Sequence, residues 1–271
     1  MGDTPNSKRV IFDVGAHMGE DLSFYLALGY DVVAIEANPS LVTGLEERFA
    51  DDIAEGRLTI MPVAVGARQG SVTFYLNSEH SVWGTADPMW AERNRKMGTE
   101  SVEIEVPSMD VLDIIADHGC PEYIKIDIEG ADLACLKALS TGPCRPKYVS
   151  IESCKTSWRD LMTEFEVLES QGYRRFKVVR QGRHHRYNGE FRAVDGSMVD
   201  YHFDKDSSGP FGPYLRGRWL TKEQAVRRYR IIFAGYLTLG DTTLAHKAMQ
   251  RVPVVRRGLD IVGWYDTHAS L

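Results

Sequence analysis

The first third of the chain alternates short apolar runs with helical patterns. An apolar run from Val10 to Phe12 is short enough for a buried strand, and it leads into two glycines, Gly15 and Gly19. A helical pattern follows, with one apolar face formed by Leu22, Tyr25, Leu26 and Leu28. Strand, glycine turn and helix in this order predict the opening of a nucleotide-binding type of α/β fold.

The same alternation continues along the chain. A second apolar run, 32–35, ends at Glu36, and Asn38-Pro39 begins another helix. A third strand is predicted from Arg57 to Ile60, and the stretch 62–66 carries it over the sheet edge. Later elements alternate in the same way, with helices over 110–118, 131–139 and 157–170 and strands over 123–128, 146–151 and 173–179. This βαβ alternation predicts a mostly parallel sheet with helices on both faces.

One stretch interrupts the alternation. Residues 71–76 and 101–106 each alternate apolar and polar side chains, which predicts half-exposed antiparallel strands. The 77–100 segment between them contains Trp83 and Trp90. Because long insertions in compact domains are usually functional or mobile, it is a candidate lid that should become ordered when an acceptor binds. The predicted organisation is a mobile arm over 1–8, a nucleoside-binding domain over 9–204, and an extension packed on the core over 205–271.

Composition and charge narrow the class. The 271 residues are 43% hydrophobic and 26% charged, an ordinary globular composition, and no apolar run approaches the ~18 residues of a membrane span. A net charge of -6 argues against general affinity for nucleic acid. Residues 171–240 nevertheless carry 14 Lys and Arg against 6 Asp and Glu. That excess forms either a solvated basic face or a wall that binds a hydroxyl-rich or anionic acceptor.

The four cysteines indicate no metal site. None of Cys120, Cys135, Cys144 and Cys154 has C-x-x-C spacing, so zinc is not expected. Cys135 and Cys154 lie in apolar segments and are interpreted as small core residues. The N-terminal residues 1–8 are polar and do not form a signal peptide. A reducing cytoplasm is the simplest compartment for such a chain.

Acidic residues at predicted strand ends indicate a cationic nucleoside ligand. Asp13 ends the first strand just before Gly15, in the pattern D-x-G-x-x-x-G, and Glu36 ends the second. An acid before the turn would repel a pyrophosphate but suits the amino group of S-adenosylmethionine. Glu36 lies where a carboxylate can accept hydrogen bonds from ribose hydroxyls. The alternative is a tight turn with two incidental acids. A dinucleotide oxidoreductase is disfavoured because the third glycine is missing.

A second acidic stretch, I-K-I-D-I-E-G-A-D at 124–132, indicates the reacting centre. Asp127 ends one predicted strand and Glu152 ends the next, so the two carboxylates can converge at one sheet edge, with Glu129 beside them. Such a pair can bind Mg²⁺, or it can deprotonate an acceptor hydroxyl. The alternative is that these acids stabilise helix N-termini, which suits Asp132 better than Asp127.

Together these motifs resemble a known family. D-V-G-A-H-M-G-E at 13–20, A-I-E-A-N-P at 34–39, the 124–132 stretch and P-K-Y-V-S-I-E at 146–152 are similar to the FkbM family of S-adenosylmethionine-dependent methyltransferases. The resemblance covers roughly residues 9–180. It implies a class I, Rossmann-like methyltransferase fold. It also implies O-methylation of a hydroxyl on a sugar, a glycolipid or a polyketide.

The resemblance also implies roles for individual residues. The cofactor-binding set it implies is Asp13, Gly15, Ala16, His17, Gly19, Glu36, Ala37, Asn38, Val63, Ala64 and Asp127. Within it, Glu36 would hold the ribose, Val63 and Ala64 would approach the adenine, and Asp127 would face the reacting centre. His17 departs from the family pattern, which usually has a smaller polar residue there. It contacts the cofactor, caps the helix, or is an ordinary loop histidine.

The tail adds candidate bases and an acceptor surface. Stretches 207–212 and 264–268 resemble segments of a sugar-modifying subset of the family, where Trp264 could pack on a pyranose ring or simply on the core. Among the histidines, His202 and His268 are the preferred general bases, and His80, His184 and His185 are further candidates.

The sequence therefore predicts an O-methyltransferase that uses S-adenosylmethionine on a hydroxyl of a sugar, oligosaccharide or glycolipid. A polyketide or other small-molecule acceptor and a non-catalytic nucleoside-binding protein are the alternatives. The predicted catalytic residues are Asp127, Glu152, His202 and His268, and the predicted Mg²⁺ ligands are Asp127, Glu129 and Glu152. The acceptor is expected to be a small molecule or an oligosaccharide. A homodimer is a possible oligomeric state.

Overall fold

A computed structural model describes residues 9–66, 69–154, 157–181, 184–204, 206–239 and 263–271. The predicted N-terminal arm, 1–8, lies outside these ranges, as do residues 205 and 240–262 of the predicted extension. No helix in the described ranges is long and apolar enough to cross a membrane.

A seven-stranded sheet forms the centre of the fold. Its strands are β1 (Val10–Val14), β2 (Asp31–Ile35), β3 (Leu58–Met61), β7 (Tyr123–Ile126), β8 (Tyr148–Glu152), β9 (Arg175–Arg180) and β12 (Tyr265–Ser270). They lie in the order β3-β2-β1-β7-β8-β12-β9, and only β12 runs antiparallel to its neighbours. The prediction of a mostly parallel α/β sheet is confirmed, and this strand order is that of a class I methyltransferase.

Helices cover both faces of the sheet. They are α1 (Leu22–Ala27), α2 (Pro39–Arg48), α3 (Ala50–Ala54), α4 (Pro88–Lys96), α5 (Val111–His118), α6 (Asp132–Thr141), α7 (Trp158–Ser170) and α8 (Lys222–Leu239). Helices α5 to α8 pack their apolar sides on one face, around Ile124, Ile126 and Val149. Helix α1 covers the other face, around Phe24 and Tyr25. The caps follow the sequence signals, since Asn38 and Asp110 each accept a hydrogen bond at a helix start.

A second, smaller sheet carries the insertion. It joins β4 (Ala64–Val65), β6 (Ser101–Met109) and β5 (Gly70–Asn77) in that order, and β5 and β6 are antiparallel as predicted. The 77–100 segment between them contains a 3₁₀ turn, Ser81–Trp83, and helix α4. It is therefore a folded element rather than an extended loop.

The C-terminal extension is more closely integrated than predicted. A hairpin of β10 (Gly189–Arg192) and β11 (Met198–Tyr201) precedes it. Residues 207–212 are buried, and the Phe211 ring stacks on Tyr123 at 4.2 Å between centroids. Strand β12 inserts between β8 and β9, so the sheet of the predicted 9–204 domain is completed by residues beyond 204. The strand escaped prediction because Tyr-Asp-Thr-His-Ala-Ser is too polar to read as a central strand.

The cysteines give one further result. Cys120 and Cys144, in the loops that precede β7 and β8, form a disulfide with 5.5 Å between their Cα atoms. This pair was not predicted from the sequence, and it weighs against the predicted reducing compartment, because disulfides persist mainly in oxidising ones. Cys135 is buried, as predicted, whereas Cys154 is only half-buried.

Candidate active site

A cavity of about 680 Å³ opens at the carboxyl ends of the parallel strands. Its walls come from the ends of β1, β2, β7 and β8, from the start of β12 and the end of β9, and from the 77–100 segment. Open α/β sheets bind ligands at this edge, because loops at the strand ends present side chains and backbone groups there.

The glycine turn after β1 forms the floor of one end. Gly15 has a φ of +89°, and its backbone N–H donates to the Ile35 carbonyl at 2.9 Å. A Cβ at Gly15 would lie 1.8 Å from the carbonyl oxygen of Asp127. The glycine is therefore required by the close approach of the chain after β7, not only by a ligand.

Glu36 occupies the end of β2 and is 7% exposed. Its carboxylate accepts hydrogen bonds from the backbone N–H groups of His17 at 2.9 Å and Asn38 at 2.8 Å. Burial raises the pKa of Glu36, although these hydrogen bonds oppose the rise. A carboxylate fixed in this way at a cavity wall fits the hydroxyls of a ribose.

A buried lysine organises the floor of the cavity. The Lys125 ammonium lies 3.0 Å from Asp21 Oδ2, 3.5 Å from Asp13 Oδ1 and 3.7 Å from Asp127 Oδ2. Asp21 also accepts hydrogen bonds from the Ser207 hydroxyl at 2.5 Å and the Ser208 backbone at 2.9 Å. The C-terminal extension is thereby tied to the reacting end of the site.

Burial and charge move the pKa values of this cluster in different directions. Burial raises the pKa of Asp13 to about 7 and also raises the pKa of Asp127, while the Lys125 charge opposes both shifts. Burial alone would raise the pKa of Asp21 too, but Lys125 and the serine hydrogen bonds lower it below its ordinary value. The three carboxylates keep the pKa of Lys125 well above normal despite its burial, so the lysine stays protonated.

The far end of the cavity is lined by Glu152, Arg180, Gln181 and Trp264. Asp266, beneath this wall, pairs with Glu152 across β8 and β12 and accepts a hydrogen bond from the Gln181 side chain at 2.7 Å. Burial raises the pKa of Asp266 well above normal, and the nearby Asp127 charge adds to the rise. Carboxylate, amide, guanidinium and indole groups thus share one wall.

Most of the predicted cofactor residues meet at the cavity. The predicted residues that line it are Gly15, His17, Glu36, Ala37, Asn38, Val63, Ala64 and Asp127. Three others do not line it and need correction. Asp13 lies fully buried below the floor of the cavity, where it pairs with Lys125. Ala16 packs into the core. Gly19 lies against Leu45 and Phe49, and a Cβ at this position would be 2.7 Å from each of these two side chains.

The two preferred histidine bases, His202 and His268, do not line the cavity. His202 is exposed and does not line the cavity. His268 is 2% exposed and pairs with Ser150 and Lys177 in the middle of the sheet, two residues further from the carboxyl edge than Asp266. The two expectations fail for different reasons: His202 follows a strand of the separate β10–β11 hairpin, and His268 lies too deep along β12. Among the sequence-based candidates, Asp127 and Glu152 do line the cavity.

Two residues of the site, Lys125 and Asp21, were not predicted from the sequence. Lys125 stands two residues before Asp127, so the alternation of a strand places both side chains on one face of the sheet. This two-residue spacing could have identified Lys125 as a neighbour of Asp127. Nothing local to Asp21 signals its bonds with Ser207 and Ser208, which lie more than 180 residues away.

The predicted Mg²⁺ site rested on the need of Asp127 for a neighbouring cation. In the described ranges, no group of three or more His, Cys, Asp or Glu side chains is placed to hold a metal ion. The prediction assumed that Asp127 needs a cation, and Lys125 supplies one at 3.7 Å. Coordination of Mg²⁺ by Asp127, Glu129 and Glu152 stays a prediction without support from this geometry.

The strand order and the site define a class I methyltransferase. The family model of the methyltransferase FkbM domain matches residues 13–175, well over half of the chain, and the chain belongs to that family. It is an S-adenosylmethionine-dependent methyltransferase. The cavity residues fit this cofactor, since Glu36 stands at the β2 end and Gly15 allows the turn to pass close to β7.

Solved structures give weaker likenesses. A precorrin-6y C5,15-methyltransferase from Geobacter metallireducens is 15% identical with a TM-score of 0.35, covering 65% of this chain and 70% of that one. A SAM-dependent methyltransferase from Archaeoglobus fulgidus is 11% identical with a TM-score of 0.37, covering 97% and 86%. A Haemonchus contortus phosphoethanolamine N-methyltransferase in complex with S-adenosyl-L-methionine is 9% identical with a TM-score of 0.37, covering 98% and 49%. Likenesses at this level do not define an acceptor. No curated protein matches the chain.

Proposed function

We propose that the protein methylates a hydroxyl group of a sugar, within an oligosaccharide or a glycolipid. The observation that carries the proposal is the polar wall from Asp127 through Glu152 to Gln181 and Trp264, which continues one cavity beyond the cofactor end. A hydroxyl-rich ring needs both hydrogen-bond donors and acceptors, and this wall offers carboxylates, an amide and an indole.

The cavity divides into two ends with different chemistry. The end near β2 and β3 has Glu36, Asn38 and the apolar residues Val63 and Ala64, which suit a nucleoside. The other end, near β8, β12 and β9, has Glu152, Gln181 and Trp264, and we assign it to the acceptor. Asp127 stands between the two ends, where an acceptor hydroxyl and a methyl donor would meet.

Asp127 is the proposed proton acceptor. S-adenosylmethionine supplies a methyl group on a sulfonium that an oxygen nucleophile can displace. A hydroxyl bonded to the Asp127 carboxylate would lose its proton to that carboxylate as its oxygen forms the new bond to carbon and the bond between carbon and sulfur breaks. Burial raises the pKa of Asp127, which makes it a better base than an exposed aspartate. Lys125 holds the carboxylate in place and limits that rise.

The basic excess over 171–240 contributes little to this wall. Among the described Lys and Arg residues of this stretch, Arg180 alone lines the cavity. The acceptor wall is therefore mixed in charge, which favours a neutral hydroxyl-rich acceptor over a strongly anionic one.

The test is transfer of a labelled methyl group to a panel of acceptors. The panel contains neutral oligosaccharides, a glycolipid and a hydroxylated polyketide, each assayed with wild-type protein, Asp127→Asn and the exposed control Asp195→Asn. We expect transfer to the sugar acceptors, a fall of about 10²–10⁴-fold in kcat for Asp127→Asn, and no change for the control. Transfer to the polyketide alone, or full activity of Asp127→Asn, would refute the proposal.

A metal arm completes this test. The same reaction is run after EDTA treatment and again after Mg²⁺ is added back. If Lys125 supplies the cation that Asp127 needs, chelation leaves the rate unchanged. A rate that falls and is restored by Mg²⁺ would favour metal coordination by Asp127, Glu129 and Glu152.

Two broader predictions belong with this proposal. The chain is proposed to act in the cytoplasm, where its Cys120–Cys144 disulfide would be an exception, and to be able to form a homodimer. Sedimentation at micromolar concentration tests the second, and a monomer at all concentrations would refute it.

A further inference from the structure

His17 bridges two parts of the molecule that are far apart in sequence. Its Nδ1 lies 2.7 Å from Glu20 Oε1, and its Nε2 lies 2.9 Å from the Ser81 hydroxyl of the 77–100 segment. The two ring nitrogens point in opposite directions, so one side chain reaches both partners. Its backbone N–H also donates to Glu36, the carboxylate at the ribose end of the cavity.

The 77–100 segment is held together by its own side chains. The Asn77 side chain donates to the Thr99 hydroxyl at 2.7 Å and so joins the two ends of the segment. The Asn94 side chain donates to the carbonyl of Trp83 at 3.1 Å, which ties helix α4 to the 3₁₀ turn. These bonds make the segment one folded unit rather than a loose loop.

This unit rests on the cavity at two places. On one side, the Thr85 hydroxyl donates to the Glu129 carbonyl at 2.6 Å, and the Trp90 ring lies so close to Gly130 that a Cβ there would be 2.2 Å from it. On the other side, Ser81 contacts His17. In the described part of the chain, the non-glycine residues with a positive φ are His17, at +50°, and Glu129, at +45°.

The second contact is much the smaller of the two. It consists of one hydrogen bond to an exposed serine, whereas the first combines a hydrogen bond with a packed indole. The residues that cover the cavity here are Ser81, Val82, Trp83, Gly84 and Ala86. Thr85 is also held by two backbone hydrogen bonds to Tyr75 on β5, so opening at His17 moves the 3₁₀ turn and uncovers the cofactor end, while the contacts with Glu129 and Gly130 stay in place.

We propose that His17 is a cofactor-positioning residue that holds the 77–100 segment closed over the cofactor end through Ser81. The Glu20 carboxylate fixes the ring so that Nε2 faces the serine. Serine can donate to a neutral imidazole or accept from a protonated one, so the contact survives both states. The consequence is specific: the contact slows release of the cofactor and has no direct effect on the acceptor end.

The test is a double-mutant cycle on cofactor binding. Ser81→Ala, His17→Asn and the double variant are compared by calorimetry with S-adenosylmethionine and S-adenosylhomocysteine. Release is timed by tryptophan fluorescence after rapid mixing with excess competitor. We expect each single variant to weaken both ligands about three- to tenfold through faster release, and the double variant to be no worse than the weaker single variant.

The matched control is Ser71→Ala. Ser71 lies on β5 of the same small sheet, and its hydroxyl donates to a carboxylate, Glu105, but it does not line the cavity. It should leave the affinity and the release rate unchanged. Hydrogen exchange over 78–86 in the cofactor-bound protein should rise in Ser81→Ala and stay at the wild-type level in Ser71→Ala.

Two results would overturn the inference: an unchanged release rate in Ser81→Ala, or losses in the single variants that multiply in the double variant. The inference rests on the cofactor of the family and not on the proposed acceptor. A failure of sugar methylation with normal cycle behaviour would refute the proposed function and leave this inference intact.

Discussion

The two faces of the central sheet both bury apolar side chains, but only one of them also buries a row of polar ones. One face carries apolar side chains from every parallel strand at its centre, such as Phe12, Ile124 and Val149, and helices α5 to α8 bury them. On the other face, a row of polar residues crosses five strands in register: Asp13, Lys125, Ser150, His268 and Lys177. All five are buried.

The difference shows what each face needs from the rest of the chain. Apolar residues need only to be covered, and any helix with an apolar side does that. Buried polar residues need particular partners. Ser150 bonds the Tyr123 hydroxyl at 2.6 Å, and the Lys177 ammonium donates to the Leu215 carbonyl at 2.7 Å. The polar face leads directly to the cavity, where Asp127 and Glu152 end the same strands.

The largest effect is expected when the polar row loses its central charge. Lys125→Met leaves three carboxylates without their cation, and we expect a loss of about 3–5 kcal/mol in the free energy of unfolding near pH 7–8. Because the carboxylates can then protonate, the loss should shrink at pH 5. Urea denaturation at both pH values measures this. An equal loss at pH 5 and pH 8 would contradict the electrostatic account.

Truncation of an apolar side chain on the other face should lower the free energy of unfolding nearly as much, but by an amount that does not depend on pH. Leu136, on α6, is 1% exposed in the apolar core, and Leu136→Ala should cost about 2–5 kcal/mol through lost burial and the cavity it leaves. The same urea experiment should give one value at all pH values between 5 and 8. A pH-dependent loss would mean that the two faces are electrostatically coupled.

Glu164 is an exception to this comparison, because α7 buries this carboxyl group on the apolar side of the sheet. Burial raises the pKa of Glu164 to about 8, so the folded protein holds it protonated near neutral pH. Its contribution to stability is complete below the unfolded pKa of about 4.5 and is lost as the pH rises toward 8. Glu164→Gln should remove this decline, about 1–3 kcal/mol between pH 5 and pH 8. An unchanged decline would place its origin elsewhere.

The smallest effect concerns a single hydroxyl on the polar face. Tyr123→Phe removes the partner of Ser150 while keeping the ring that stacks on Phe211. We expect a loss of about 0.5–1.5 kcal/mol, with no change in cofactor affinity. Thermal unfolding and calorimetry check the two parts. A large fall in cofactor affinity would show that the row and the cavity act as one unit.

Much of the fold follows from local patterns. The run before Gly15, the acid-ended strands at Glu36 and Asp127, and the alternation of 71–76 all predicted elements that the structure contains. The motif residues also predicted which strand ends meet, because parallel strands place their carboxyl ends at one edge. This is why Glu36, Asp127 and Glu152 line a single cavity.

By itself, the sequence determined the parallel strands, the sheet edge at which their acidic ends meet, and the family. Only the tertiary structure decided which charges neutralise one another: Lys125 rather than a ligand faces Asp13, and Ser207 and Ser208 return to Asp21. It also decided that His268 lies within the sheet, because β12 enters between β8 and β9. Periodicity reports which face a side chain takes. It cannot report the partner that a distant segment brings to that face, since that depends on long-range packing.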